Sequence, residues 1–273
     1  MSLSEIKVKY IDVENKIMES DSKLLKSFPK FFINFLSWLV QENEMNRIMN
    51  KYADTSEVTF LEKVIEEFQL DLQIEGLENL PENGKCFFVG NHPFGVIDGL
   101  ILTHTVCKKY GTLKAIGNDA FTFIPQLKPL IAAVNVYDRT SKDYIMELQK
   151  IYESDIPMTH FPAGEVSRLY HWKIQDTHWQ KSFIGKAVSC QRDIVPFHFY
   201  GRNSIQFYTI FVIRTLFGIK LNLELSLLTR EMFRKRGKTI KVKIGKPIPY
   251  QTFDKSNNHN IWAQKVRDIV YGL

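Results

Sequence analysis

With 273 residues, a formal net charge of +6, 44% hydrophobic and 24% charged residues, the chain has the make-up of a folded globular protein and not of a disordered one. Three scattered cysteines, Cys86, Cys107 and Cys190, lack any CxxC or Cys/His spacing, which argues against a disulfide framework or a metal site and for buried thiols in a reducing compartment. The basic balance favours anionic partners without choosing among nucleic acid, phospholipid headgroups and phosphorylated cofactors.

Met1 to Tyr10 are polar, so no secretory leader is expected there. The first 68 residues read as helical: Asp12 to Ser27, a break at Pro29, Lys30 to Tyr52, then Thr55 to Phe68 with Thr55 or Ser56 as a cap. Within them, the apolar stretch Phe31 to Val40 is too short to span a bilayer. It suits either a core helix or one lying in a membrane interface, with Trp38 at headgroup depth. From Leu70 onward, short apolar runs alternate with helical patterns. Strands are expected at 70–74, 86–89, 113–116, 132–136, 158–161, 194–199 and 239–244, and helices at 98–109, 142–153, 177–189, 205–217, 224–235 and 260–270. This alternation predicts an α/β protein with a largely parallel β-sheet core flanked by helices, preceded by an N-terminal helical segment. The division expected is 1–68 as a helical, membrane-interface segment and 69–273 as the α/β domain. The stretch 207–228 is longer but is interrupted by Arg214, Lys220 and Glu224, so no spanning helix is expected.

Residues with chemistry fall where strands end, the usual place for functional loops in such sheets. After the first apolar strand comes Gly90-Asn91-His92-Pro93-Phe94-Gly95-Val96-Ile97-Asp98. Pro93 and Gly95 force a turn, so His92 is presented on a loop while Asp98 opens the next helix. Folded back, Asp98 fixes the tautomer of His92 and leaves its other nitrogen basic, which makes a general base for a hydroxyl. A helix cap beside a turn histidine has the same pattern. Asn135-Val136-Tyr137-Asp138-Arg139 ends another strand with an Asp-Arg pair, read in isolation as a surface ion pair. His160-Phe161-Pro162-Ala163-Gly164-Glu165-Val166-Ser167-Arg168 leaves a third strand. Its Pro–Gly turn could face an anion, and Arg168 offers bidentate geometry for phosphate or carboxylate, although a tight turn with a surface arginine fits equally. Pro196, inside the run Asp193 to Phe199, predicts an edge strand or a bulge. Basic residues crowd 230–246, either as a solvated helix end or as a surface for anionic lipid, where each contributes about 1 kcal/mol. No nucleic-acid motif accompanies them.

Taken in order, Asn-His-Pro-Phe-Gly-x-x-Asp, the Asp-Arg strand end, Phe-Pro-Ala-Gly-Glu-x-Ser-Arg and Val-Pro-Phe resemble the glycerolipid acyltransferase superfamily over about residues 70–249. The likeness is greatest to its hemolysin-like branch, which includes the O-acyltransferases of ornithine and glycine lipids. Asp176-Thr177-His178-Trp179, Gly201-Arg202-Asn203-Ser204 and Ile244-Gly245-Lys246-Pro247-Ile248 look like that branch as well. The resemblance implies His92 as the base that deprotonates an acceptor hydroxyl, with Asp98 orienting it. It implies Arg139, Gly164, Glu165 and Arg168 around the acceptor headgroup, Pro196 on the acyl-donor side, and Asn91, Gly95, Phe161, Pro162 and Ser167 in the same substrate-binding set. It further implies no metal and no cofactor, with acyl carrier protein or coenzyme A thioester as co-substrate. The acceptor would be a lysolipid and the setting an anionic membrane surface, at its cytoplasmic face. Two departures stand out: His92 and Asp98 are one residue farther apart than in the common motif, and Ala163 and Val166 replace a Glu and an Arg of its third block. The second departure sets a lyso-aminolipid beside lysophosphatidic acid as a competing acceptor. The first keeps open a non-catalytic lipid-binding protein on the same scaffold. Phe121, Phe123, Ile124, Leu127 and Leu130 are candidates for lining an acyl groove, or plain core.

Overall fold

The computed structural model describes residues 8–117, 124–133 and 142–273. Its helices are α1 (Val13–Glu19), α2 (Lys23–Lys26), α3 (Lys30–Leu39), α4 (Glu42–Lys51), α5 (Glu57–Glu67), α6 (Val96–Tyr110), α7 (Lys142–Glu153), α8 (Ser182–Ser189), α9 (Ile205–Leu216), α10 (Leu228–Phe233) and α11 (His259–Tyr271). Its strands are β1 (Asp71–Glu75), β2 (Cys86–Gly90), β3 (Lys114–Gly117), β4 (Ile131–Ala133), β5 (Met158–His160), β6 (Arg168–Tyr170), β7 (Lys173–Gln175), β8 (Asp193–Tyr200) and β9 (Thr239–Ile244). Seven strands form one sheet in the order β1-β9-β8-β2-β5-β3-β4, in which only the β8–β9 pairing is antiparallel. The expected α/β architecture with a largely parallel sheet is what the chain forms.

Alternation along the central strands splits the core into two layers, because successive side chains leave opposite faces of a sheet. Phe88, Val195, Phe197 and Phe199 pack on one face with α5, α6 and α10 residues such as Leu61, Ile101 and Met232. Phe87, Val89 and Ile194 pack on the other with Tyr152 of α7, Phe183 and Ile184 of α8, and Val266 of α11. Ile48 of α4 and Phe60, Leu61 and Val64 of α5 belong to the first layer, so the N-terminal helices share a hydrophobic core with the sheet.

Several elements depart from the sequence-based bounds. The helix expected over 30–52 breaks at Gln41, whose φ of 55° is left-handed. Beyond that break α4 turns a polar ladder outward: Glu42, Asn46 and Asn50 are spaced one turn apart and hold the extended stretch 8–13. Val8 N–H donates to Asn50 Oδ1 at 2.9 Å, Ile11 N–H to Asn46 Oδ1 at 2.9 Å and Val13 N–H to Glu42 Oε2 at 3.1 Å, while both asparagine amides donate back to Val8 and Ile11 carbonyls. The helix expected from 177 begins only at Ser182, since Asp176 and Trp179 are engaged in long-range bonds. The helix expected over 224–235 is a 3₁₀ turn (Leu223–Leu227) followed by α10.

The β6–β7 hairpin had no sequence signal. Its turn residues His171 and Trp172 both have positive φ, 49° and 63°, where glycine or asparagine is the usual choice. Pro196 sits within the sheet and not at an edge. The register against the 244–248 segment slips by one residue between Phe197↔Ile244 and Ile194↔Ile248, and this bulge lies beside Pro196, which has no N–H to donate. Gly245 completes it, because a Cβ there would meet Pro196 Cγ at 2.8 Å.

Candidate active site

The loop leaving β2 is fixed before it reaches any substrate. Asn91, buried, donates through Nδ2 to the Phe199 carbonyl at 3.0 Å and accepts the Phe199 N–H at 2.7 Å, tying the strand end across to β8. The next residue is pinned by its own backbone: His92 N–H donates to Asp176 Oδ1 at 3.1 Å, and its carbonyl accepts Ser167 N–H at 2.8 Å. The chain then turns at Gly95, where φ is +90° and a Cβ would meet Leu228 at 2.9 Å and Val166 at 3.0 Å, so only glycine fits. Asp98 lies in the first turn of α6, fully buried. One oxygen accepts Phe94 N–H at 2.9 Å and Gly95 N–H at 3.3 Å. The other accepts Gly99 N–H at 3.0 Å and stands 3.1 Å from His92 Nδ1.

The extra residue between His92 and Asp98 is therefore taken up in the Pro93–Gly95 turn, and the two side chains meet. Their approach is close in distance but too bent to count as a full hydrogen bond, so Coulomb attraction dominates. Burial acts to lower the pKa of His92, but the adjoining Asp98 carboxylate and then Asp176 outweigh it and leave the imidazole above its ordinary value. The ring stacks on Phe161, centroids 4.1 Å apart, and its side chain keeps 17% of its surface, enough to be reached from a cavity.

That cavity has a volume of about 400 Å³ and is lined mostly by apolar side chains. His92, Gly95 and Phe161 form part of its wall. One end runs under the N-terminal helices between Met45, Ile48 and Met49 of α4, Leu61 and Val64 of α5, and Leu100 of α6. The other reaches β3, β5 and the start of α8, where Thr159, His160, Gln180 and Ser182 make it more polar. Among the described residues its lining contains no Lys or Arg.

Of the residues picked from sequence, His92, Gly95, Phe161, Pro162 and Gly164 line this cavity, as do Ile124, Leu127 and Leu130. Asp98, Asn91 and Ser167 stand behind the wall and hold it, Ser167 Oγ donating to Asp176 at 2.5 Å. Glu165 accepts the Tyr170 hydroxyl at 3.0 Å. Arg168, expected to meet a headgroup, is instead wholly buried: it pairs with Glu224 at 2.9 Å, donates to the Val166 carbonyl and lies over the rings of Phe207 and Phe211. Glu224 also takes Arg214, at 2.5 Å, so one buried carboxylate is shared by two guanidinium groups. Pro196 lies at the β8–β9 bulge and is not part of the cavity wall. Arg139, Phe121 and Phe123 fall outside the described residues.

Asp176 was singled out only as part of a familiar-looking run, yet it joins two of the motif blocks. Its buried carboxylate accepts His92 N–H, the Ser167 hydroxyl and, at 2.9 Å, the indole N–H of the fully buried Trp179. Burial raises its pKa, against the pull of those bonds. The three cysteines are free and buried, as expected.

Residues 16–272, nearly the whole chain, match the Acyltransferase family. The chain belongs to that family. Among curated proteins, this acyltransferase is similar to the lyso-glycine lipid O-acyltransferase of Phocaeicola vulgatus, 39% identical over 264 residues that cover 96% of this chain and 95% of the relative. The lyso-glycine lipid O-acyltransferase of Bacteroides thetaiotaomicron is likewise 39% identical over 264 residues, 96% and 97% of the two chains. Among solved structures, the 1-acyl-sn-glycerophosphate (LPA) acyltransferase PlsC from Thermotoga maritima superposes with a TM-score of 0.51 at 18% identity, covering 88% of this chain and 86% of that one. That likeness is one of fold. Family membership sets aside the reading of a non-catalytic lipid carrier.

Proposed function

We propose that this acyltransferase moves a fatty acyl group from an acyl carrier protein or coenzyme A thioester to the hydroxyl of a lysolipid at a membrane surface, with His92 as general base. The observation that carries the reading is the His92–Asp98 pair, 3.1 Å apart, facing a largely apolar cavity. With Nδ1 turned to Asp98, Nε2 is the nitrogen left to take the proton of the acceptor hydroxyl. The oxygen attacks the thioester carbonyl, the tetrahedral intermediate collapses with loss of the thiolate, and the imidazolium returns its proton to that sulfur. Asp98 stabilises the cation that exists between those two transfers.

The acceptor favoured is a lyso-aminolipid, in which one fatty chain is joined to an amino acid. The curated relatives carry the name lyso-glycine lipid O-acyltransferase, and a phosphate monoester would call for a cation that the described cavity lining lacks. Peripheral docking fits the surface. Phe31 and Trp38 on α3 are 74% and 51% exposed, and Leu216 and Phe217 at the end of α9 are 79% and 77% exposed. Leu39 packs against the Phe207–Leu227 cluster and Arg230 covers Trp38 at 4.6 Å, so α3, α9 and α10 adjoin one another, with the basic residues 234–236 directly after α10. No described helix is long and apolar enough to cross a membrane. We assign the docking side to the cytoplasmic face, where acyl thioesters are made.

Incubating the purified protein with lysophosphatidate, lyso-ornithine lipid and lyso-glycine lipid, each with both donors, and weighing the products by mass spectrometry tests acceptor and donor together. His92→Ala should abolish every product while keeping the melting transition. An active, folded His92→Ala protein would overturn the base, and no product from any pair would overturn the function.

A further inference from the structure

A second histidine lines the cavity, and the acyl-transfer scheme above leaves it unused. His160 closes β5, one residue before the Phe161 ring that supports His92, and faces the polar end with Thr159, Gln180 and Ser182. Its Nδ1 lies 3.4 Å from the Ile116 carbonyl, and a carbonyl can only accept, so Nδ1 carries the proton. Nε2 then presents a lone pair, and none of the described residues bonds to it. Burial pushes the imidazole down to about 4, so the ring stays neutral at physiological pH.

We infer that His160 is a specificity-determining residue whose Nε2 accepts a secondary-amide N–H of the bound substrate. The inference rests on the lysolipid acyltransferase reading and deepens it. A neutral acceptor gives nothing to a carboxylate or a phosphate; it selects a donor. The attacking hydroxyl belongs to His92. In a transfer from a pantetheine thioester to an amino-acid lipid, the neutral donors besides the single hydroxyl of the pantetheine arm are secondary amides: the bond joining the fatty chain to the amino acid, and the two amides of that arm. A glycerol-based lysolipid has no such group near its acyl chain. A cavity-facing acceptor left empty by an isostere without the N–H discriminates against that isostere, as a hydrogen-bonding site does against an analogue missing its partner.

The test compares wild type, His160→Leu and His160→Gln in two arms. In the first, the lyso-aminolipid is set against its ester isostere with oxygen in place of N–H. In the second, acyl-coenzyme A is set against the acyl thioester of a plain alkanethiol. His160→Leu should lose about tenfold in kcat/KM, through KM, on the amide-bearing substrates, and His160→Gln, whose side-chain oxygen also accepts, should recover most of it. The difference between wild type and His160→Leu should vanish in one arm when the N–H is absent, and that arm names the source of the amide. Equal losses on all substrates in both arms would overturn the inference. So would a wild type that treats amide and isostere alike in both arms, which needs no variant to fold. If wild type turns over lyso-aminolipids and both variants match it, this inference alone fails. If wild type acylates no lysolipid, the broader reading fails with it.

Discussion

Asp176 holds the backbone N–H of His92 at 3.1 Å from a position 84 residues later in the chain. The same carboxylate takes the hydroxyl of Ser167, whose own N–H caps the His92 carbonyl, so the loop carrying His92 and the loop after β5 share one anchor. Asp176 is thus a positioning residue in the proposed scheme: it places His92 and is not part of the cavity wall. Asp176→Ala leaves three buried donors without a partner, each costing about 1–3 kcal/mol. A melting temperature lower by several degrees is expected, with kcat falling more than KM rises. Titrating ionic strength or substrate should not restore the rate. Wild-type kcat in a folded Asp176→Ala protein would show that the anchor does not set the base.

The raised pKa of His92 has consequences of known sign. A general base works deprotonated, so kcat/KM should climb with pH along a limb centred above the ordinary imidazole value. Asp98→Asn removes the charge that does most to hold the pKa of the ring up against burial, so that limb should move to lower pH while the plateau rate drops. The stability contribution runs the other way. A pKa raised in the folded chain means that folding favours the protonated ring; the gain is complete below the unfolded imidazole's pKa and is lost as pH rises through the folded one. Rate profiles and denaturant midpoints across that window, for both proteins, check the two signs. An unmoved limb in Asp98→Asn would remove Asp98 from the mechanism.

Membrane docking can be separated from the cavity. Deleting the first 50 residues would remove most of α4 and with it Met45, Ile48 and Met49 of the wall, so loss of binding would be ambiguous. Phe31→Ser with Phe35→Ser instead strips two exposed rings and leaves the wall intact. Burying such a ring is worth about 1.5–3 kcal/mol when complete, so vesicle partitioning should weaken by at least about tenfold. Activity on detergent-dispersed lysolipid should persist. Unchanged sedimentation with anionic vesicles would refute the role given to α3.

Much of the sheet was legible, because β2 and β4 are short apolar runs and Thr239 to Ile244 alternates cleanly. The meeting of His92 with Asp98 was legible too, since both residues sit on one loop and helix start. What escaped depends on distance. Nothing near Asp176 says that it will meet His92 and Ser167, and nothing near Arg168 says that Glu224, 56 residues on, will absorb its charge. Local signals misled where tertiary bonds override them: Lys30 to Tyr52 reads as one helix until Gln41 breaks it and α4 turns to meet residues 8–13. The positive-φ turn at His171 and Trp172 violates the residue preference by which hairpins are recognised.

The ladder of Glu42, Asn46 and Asn50 gives the opening residues of the chain an influence over chemistry far from them. One side of α4 grips the stretch 8–13 and the opposite side presents Met45, Ile48 and Met49 to the cavity. A tether so placed makes the amino end a tuning point: cropping it, or fusing a bulky tag too close, would let α4 drift and widen the range of tails admitted, without altering a single atom at the reacting centre.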